Sequence, residues 1–298
     1  MELVTHHITW PSRRNHKPLM IAPIGDIQWS GKRGVTAGDT LKRHIDKCMK
    51  LDALFLGTGD YTDFMSPSNR QRFKAAALYD SAKDVVDDAA LELVHELYED
   101  YLKPTKGRWL GLCHGHHWAQ LRTGDTTDMR LCQMLDAKFL GTCAYIRIVF
   151  HSHGSRFSLV LFVHHGCGGG MKMSAPLNKI ENLLPYWDAD VFLLGHMSKQ
   201  VAAPVNRITP RWHGFGSPDL VHRKVYMVGC GSFARGYVEW AKQGRIPMGS
   251  YVEQRLLNPV SLGAPLIKIV PRVKYRRYGS RKAGKDRAVW EPDVTVEL

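Results

Sequence analysis

The sequence predicts an α/β protein in which two sheets pack together with helices outside. Three observations carry that expectation. Short apolar runs recur along the chain, helical periodicities separate those of the first half, and hairpin-like pairs of β-forming runs mark the second half. Strand–helix alternation gives a parallel sheet, and strands joined by short turns add an antiparallel component.

In chain order, MELVTHHITWPSRRNHK reads as a polar lead-in, and residues 19–24 form a buried strand ending at Asp26. Residues 36–50 have helical spacing, and ALFLGTG at 53–59 is again a buried strand. The stretch 74–103 predicts one long or broken helix whose apolar stripe is Leu91, Val94, Tyr98 and Leu102. WLGLCH makes a third strand and Thr127–Leu135 a short helix. AYIRIVFHS and FSLVLFVHHG form a hairpin through His153-Gly154-Ser155-Arg156. A helix near 176–185 and strands at DVFLLG and KVYMVGC follow. Residues 233–263, weakly periodic and broken by Gly and Pro, read as an excursion, and IKIVPRVKYRRY alternates like an edge strand with a solvated face. On this reading residues 1–230 are the main domain and 231–298 an extension packed on it.

A chain of 298 residues can bury a large core, and 44% hydrophobic with 23% charged residues is ordinary for a globular protein. No apolar run approaches the ~20 residues that span a bilayer. The N-terminus lacks the apolar centre of a signal peptide, so a cytoplasmic protein without membrane partners is expected. Six cysteines without CxxC spacing read as free thiols, which argues against disulfides and a cysteine zinc site. The net charge of +13 favours polyanions, which nucleic acid, a phosphorylated substrate or an anionic surface would each supply. Arg276 and Arg277, in a tyrosine-interleaved basic run from Arg272 to Tyr278, are candidate substrate contacts. The oligomeric state has no signature in the sequence.

Five polar motifs each follow an apolar run: Gly25-Asp26-Ile27-Gln28, Gly59-Asp60-Tyr61-Thr62-Asp63, Gly115-His116-His117, His164-His165-Gly166 and Gly195-His196-Met197-Ser198. Singly they are ordinary, since Asp after a strand caps turns and a lone His is usually a surface or core residue. Turn chemistry does not account for their order, strand-end placement and glycine spacing together. Ligands brought from several strand ends to one rim make a metal site, and carboxylate with imidazole suits Mn, Fe or Zn better than Ca or Mg alone. Manganese is the expected ion, with Fe, Zn or Mg as alternatives. The run Gly166–Gly170 lacks the Lys-Ser/Thr ending of a nucleotide P-loop, and Gly168 there would let backbone approach a phosphate.

The motif order resembles the calcineurin-like metallophosphoesterases, whose pattern is Asp-x-His, Gly-Asp-x-x-Asp, Gly-Asn-His-Glu/Asp, a lone His and Gly-His-x-His. The resemblance spans roughly residues 20–200 and implies a four-layer α/β/β/α sandwich. It makes Asp60 the carboxylate bridging two metals, with Asp26 and Gln28 on the first. His116, His196 and one or both of His164 and His165 fall on the second. His117 becomes the general acid, oriented by Asp63. Three departures stand out: Gln28 and Ser198 replace histidines of the first metal's set, and His116 replaces Asn. One tight and one weakened site, hence one or two metals per chain, are therefore expected, with Ser198 facing substrate. A third motif read from Cys113-His114 is a competing register. Phe64 and His114 stand where protein phosphatases of the family carry phosphate-clamping arginines. The implied reaction is thus hydrolysis of a phosphodiester, nucleic acid foremost, by a metal-bound hydroxide. A small-molecule phosphatase or phosphodiesterase and a catalytically inactive binding protein are the rival readings. Trp29 and Trp118, beside the motifs, are candidates to stack on substrate.

Overall fold

The structure is a computed structural model that describes residues 1–9, 17–32, 34–76, 78–152, 155–212, 218–243, 245–278 and 285–298, with backbone alone at 152, 155, 243, 273–278 and 285–291. In chain order its elements are β1 (Glu2–Thr9), β2 (Leu19–Gly25), α1 (Gly38–Lys50), β3 (Leu54–Gly59), α2 (Pro67–Ala75), α3 (Asp80–Leu97), β4 (Trp109–Cys113), α4 (Thr127–Leu135), β5 (Phe139–Gly141), β6 (Cys143–Ser152) and β7 (Ser155–His164). There follow α5 (Ala175–Glu181), β8 (Val191–Leu194), β9 (Gln200–Arg211), β10 (Asp219–Cys230), the short β11 (Lys242–Gln243) and β12 (Ile246–Pro247), α6 (Tyr251–Gln254), β13 (Leu266–Tyr278) and β14 (Lys285–Glu297).

Among the described residues, twelve strands form two mixed six-stranded sheets, and β11 pairs with β12 alone. One runs β14-β13-β2-β3-β4-β5, the other β1-β6-β7-β8-β10-β9. β2, β3, β4 and β5 are parallel neighbours, as strand–helix alternation requires, while β13 joins β2 antiparallel. In the second sheet β6 and β7 are the anticipated hairpin, and β8 lies parallel to both β7 and β10. Residues 153 and 154 of the hairpin turn lie outside the described residues.

Alternation along each strand sends its apolar side chains to two different cores. Ile21, Leu56 and Leu110 of the first sheet share one cluster with Ile146, Leu161 and Val228 of the second. Ala22, Phe55 and Trp109 point the other way, into the cluster that holds Leu41 and Ile45 of α1, Val94 and Leu97 of α3 and Leu131 of α4. On the second sheet Phe162, Phe192 and Val225 pack with Ile180 of α5 and with Leu184. No helix among the described residues is long and apolar enough to cross a membrane.

Several expectations are corrected. The polar lead-in contains β1, because Val4 and Ile8 reach the shared core from between outward-facing residues. Of the two forms expected for 74–103 the broken one is found. Lys74 and Ala75 end α2, which Ser66 caps by accepting from Asn69 N, and α3 covers Asp80–Leu97. After it a π-turn at Tyr98–Leu102 runs into Pro104, which has no N–H to continue. Leu91 is 37% exposed, and the buried stripe instead passes through Ala90, Val94, Leu97, Tyr98 and Leu102. IKIVPRVKYRRY is not an edge: β13 sits between β2 and β14 over Ile267–Ile269, then runs on with β14 as a two-stranded ribbon.

Candidate metal centre

The site is assembled where strands end. β2 delivers Asp26, β3 Asp60, the loop after β4 His116 and His117, the residue after β7 His165, and the turn after β8 His196. Asp26, Gln28, Asp60, His196 and Ser198 have φ of 46°, 50°, 54°, 65° and 55°. The left-handed region is disfavoured for residues with a Cβ, and strain of this kind collects at functional sites. Glycine before a ligand has a steric reason here. A Cβ on Gly59 would stand 2.5 Å from His165 Nδ1, and one on Gly115 would strike Asp60 N and Oδ1.

Two sets of potential ligand atoms result, each within 4.8 Å: Asp26, Asp60 and His165, and His116, His165 and His196. His165 belongs to both. Its ring is buried and its Nδ1 donates to Thr58 O at 2.7 Å, so Nε2 is the ring atom turned to the site. That Nε2 lies 3.3 Å from Asp60 Oδ2 without hydrogen-bond alignment. Asp60 Oδ1 accepts from His116 N and, at 3.0 Å, from His117 N, which aims Oδ2 at the centre. Asp26 Oδ2 accepts from His196 N at 2.8 Å. His116 Nδ1 and His196 Nδ1 stand 3.2 Å apart.

Asp26 Oδ1, Asp60 Oδ2 and His165 Nε2 are buried and have no hydrogen-bond partner among the described residues. Orphaned buried polar atoms are costly, and here two oxygens and one nitrogen converge as a divalent transition metal requires. Burial, chiefly, raises the Asp26 carboxyl to about 7. Burial would raise Asp60 too, but His165 and the charge of His117 outweigh it and the carboxyl is held low. His196 is lowered to about 4, and His116 is lowered as well, both by burial first and by His165 next. His116 and His196 are thus held neutral beside an ionised carboxylate, as ligation needs. At His165 burial is outweighed by Asp60 and Asp26, which raise it to about 9, so a metal there would have to displace its proton.

His117 stands apart from the ligand sets. Its Nδ1 lies 2.7 Å from Asp63 Oδ1, and its Nε2 points inward, 3.9 Å from Asp60 Oδ2. Burial lowers this imidazole, yet the bond to Asp63 and the surrounding carboxylates outweigh burial and its pKa rises. The loop carrying it is held from two sides. Arg70 of α2 donates to Met65 O, His116 O and Trp118 O at 2.6, 2.5 and 3.1 Å, with its guanidinium 3.9 Å from the Trp118 ring centroid. Buried Asp128 of α4 accepts from His114 Nδ1 at 2.8 Å and Gly115 N at 3.1 Å.

The remaining candidates fall as follows. His164 is in neither set, and its Nδ1 accepts from Gly166 N at 2.6 Å. Gln28 donates its backbone N–H to Asp60 O at 3.0 Å, and as an amide belongs to neither His/carboxylate set. Ser198 is half-buried and precedes Lys199, whose Nζ donates to Gly170 O at 2.6 Å and so ties down the glycine run. Gly168, exposed with φ 71°, borders Lys179. The side chains of Arg276 and Arg277 lie outside the described residues. Trp29 is buried, donating Nε1 to Glu96 Oε2 at 3.0 Å, and Trp118 lies against Arg70 and His114, so both have structural partners. Sequence reasoning missed Arg70, Asp128 and Thr58. Asp128, in the first turn of a foreseen helix, is the one that carried a local signal, whereas the other two act through distant backbone. Compared with known proteins, the chain matches no family model, no curated protein and no solved structure.

Proposed function

We propose that the protein is a metal-dependent phosphodiesterase, with nucleic acid as its substrate class, built on a four-layer α/β/β/α sandwich in a cytoplasmic setting. One observation carries the reading: partnerless Asp26 Oδ1, Asp60 Oδ2 and His165 Nε2 converge beside a second imidazole set, with a carboxylate-paired histidine at the edge. Asp26, Asp60, His116, His165 and His196 would hold the metal. When bound, a divalent ion, manganese in first place, neutralises phosphate oxygens and supplies an activated water.

The chain's own residues do the rest. Asp63 accepts from His117 Nδ1–H, which fixes the tautomer and favours the imidazolium. His117 Nε2–H then faces the centre and donates its proton to the leaving alkoxide. Arg70 and Asp128 hold the 114–118 backbone so that His116 and His117 keep their aim. The absence of the phosphatase arginines, with Phe64 and His114 in their places, favours a diester over a dianionic monoester. A metal-binding but inactive module is the second reading, favoured by Gln28 and Ser198 at positions where the resembled family has histidines.

The test is metal content after chelation and reloading with Mn, assayed together with hydrolysis of bis-p-nitrophenyl phosphate. Metal uptake with Mn-dependent cleavage, both abolished by Asp60→Asn, is the expected outcome. Metal uptake without turnover across Mn, Fe, Zn and Mg would select the inactive module, and an Asp60→Asn variant that turns over normally would remove Asp60 from the centre.

A further inference from the structure

Between β10 and β13 the chain makes an excursion, residues 236–258, that is knit to itself. Ser250 Oγ donates to Gly236 O at 2.5 Å, Tyr237 OH to Leu257 O at 2.7 Å, and Met248 N to Ala241 O at 3.1 Å. Its first end is rooted at the candidate metal centre and its second in the loop beyond His165. Phe233 N and Ala234 N donate to the carbonyl of Asp26 at 3.0 and 3.2 Å, and Asn258 Nδ2 donates to Met171 O at 3.3 Å, in the loop that follows His165.

A hydrogen-bonded excursion of this size has an obvious use for its large side chains, a small core of its own. These point the other way. Tyr237, Tyr251 and Trp240 are exposed, Trp240 at 91%. Trp240 also has φ 59°, a backbone conformation that bulky residues rarely adopt, so the ring is presented against local cost. Exposed Lys242 and Arg245, with Arg235 just before the excursion, lie among the rings together with exposed Glu239 and Glu253, and the Arg255 guanidinium stands 5.6 Å from the Tyr251 ring centroid.

Rings and cations together match one polyanion best. Unpaired bases stack on aromatic faces whatever their sequence, while cations neutralise the phosphates between them; a duplex keeps its base faces hidden. We propose that the 236–258 excursion is a docking platform for single-stranded polynucleotide beside the metal centre. The delivery of the strand for cleavage rests on the phosphodiesterase reading, whereas the binding does not. The net charge of +13 supplies the long-range attraction.

The experiment is fluorescence anisotropy of a labelled oligothymidylate in EDTA, where no turnover intervenes, with a duplex of equal length as competitor. Single strand should be preferred about tenfold or more, affinity should fall steeply with salt, and Trp240→Ala and Tyr251→Ala should each weaken binding about tenfold. Unchanged thermal unfolding of both variants separates lost stacking from lost structure. Equal affinity for duplex, or variants that bind like the parent, would overturn the platform. So would association with phosphatidylglycerol vesicles in place of the oligonucleotide, which would assign the rim to a lipid surface. Intact binding in a protein that never hydrolyses diesters would sink the enzymatic reading and leave the platform standing.

Discussion

His164 and His165 show how one residue's place in a strand decides its chemistry. Consecutive residues leave a strand on opposite faces, so only one of the pair can look into the site. His165 does, with Nδ1 committed to Thr58 O and Nε2 unpartnered, while His164 Nδ1 is engaged by Gly166 N–H. If the site takes up Mn as proposed, His165→Ala should cost most of that uptake and His164→Ala little of it, as read by atomic absorption after reloading and dialysis. The reverse pattern would exchange their roles. His117 makes a pH prediction of definite sign. Its imidazolium is favoured above the ordinary histidine range, so its donor form persists below that elevated pKa and is lost as pH rises through it. The alkaline limb of kcat should follow His117. Asp63→Asn, by removing the carboxylate that raises it, should move that limb to lower pH and leave metal content intact. A limb that stays where it was would detach Asp63 from the proton.

At the scale of the element, helix α1 carries a titration unrelated to the metal. His44 packs edge-on against Phe233, with ring centroids 5.7 Å apart, and its Nε2 is buried without a partner among the described residues. Burial first, and Lys47 second, lower its pKa from 6.5 to about 4. The unfolded chain binds this proton from about 6.5 downward while the folded chain refuses it until about 4. Stability is therefore whole above 6.5 and is lost as pH falls through that window. With partial solvent access the loss is on the order of 2 kcal/mol. Urea midpoints of the parent should fall over this range, and those of His44→Leu should fall less. Parallel pH dependences would mean that His44 takes up its proton without disturbing α1. The helix's other contacts are Leu41, Ile45 and Cys48 on the first sheet; burial pushes the Cys48 thiol up to about 12, so over this acid range they supply the pH-independent part of its docking.

For the whole molecule, legibility follows the range of the interaction. β2, β3, β4 and β8 are plain in the sequence because a strand buried on both faces is a continuous apolar run, and a ligand after such a run lies on a common rim. β1 is hidden because Thr5, His7 and Thr9 alternate with the inward Val4 and Ile8, and β9 because Pro204 and Pro210 interrupt it. Thr58 and Arg70 support the site through contacts far apart in sequence, which leave no local pattern. The same long range makes the C-terminal strands integral. β13 inserts beside β2, pairing Ile267 with Ile21, and β2 ends at Asp26. Leu266, Ile267, Ile269 and Val294 are all buried. At about 1.5–3 kcal/mol apiece their burial rivals the about 5–15 kcal/mol that keeps a whole domain folded. Ending the chain at residue 265 should therefore abolish cooperative unfolding and metal binding together. Shortening only the ribbon beyond β2, by replacing residues 274–289 with a tight turn, should leave both intact, because pairing with β2 stops at Ile269. Should the chain ending at 265 unfold cooperatively at the parent's midpoint and still take up Mn, β13 would be an appendage. The metal rim would then need no neighbour on that side of β2.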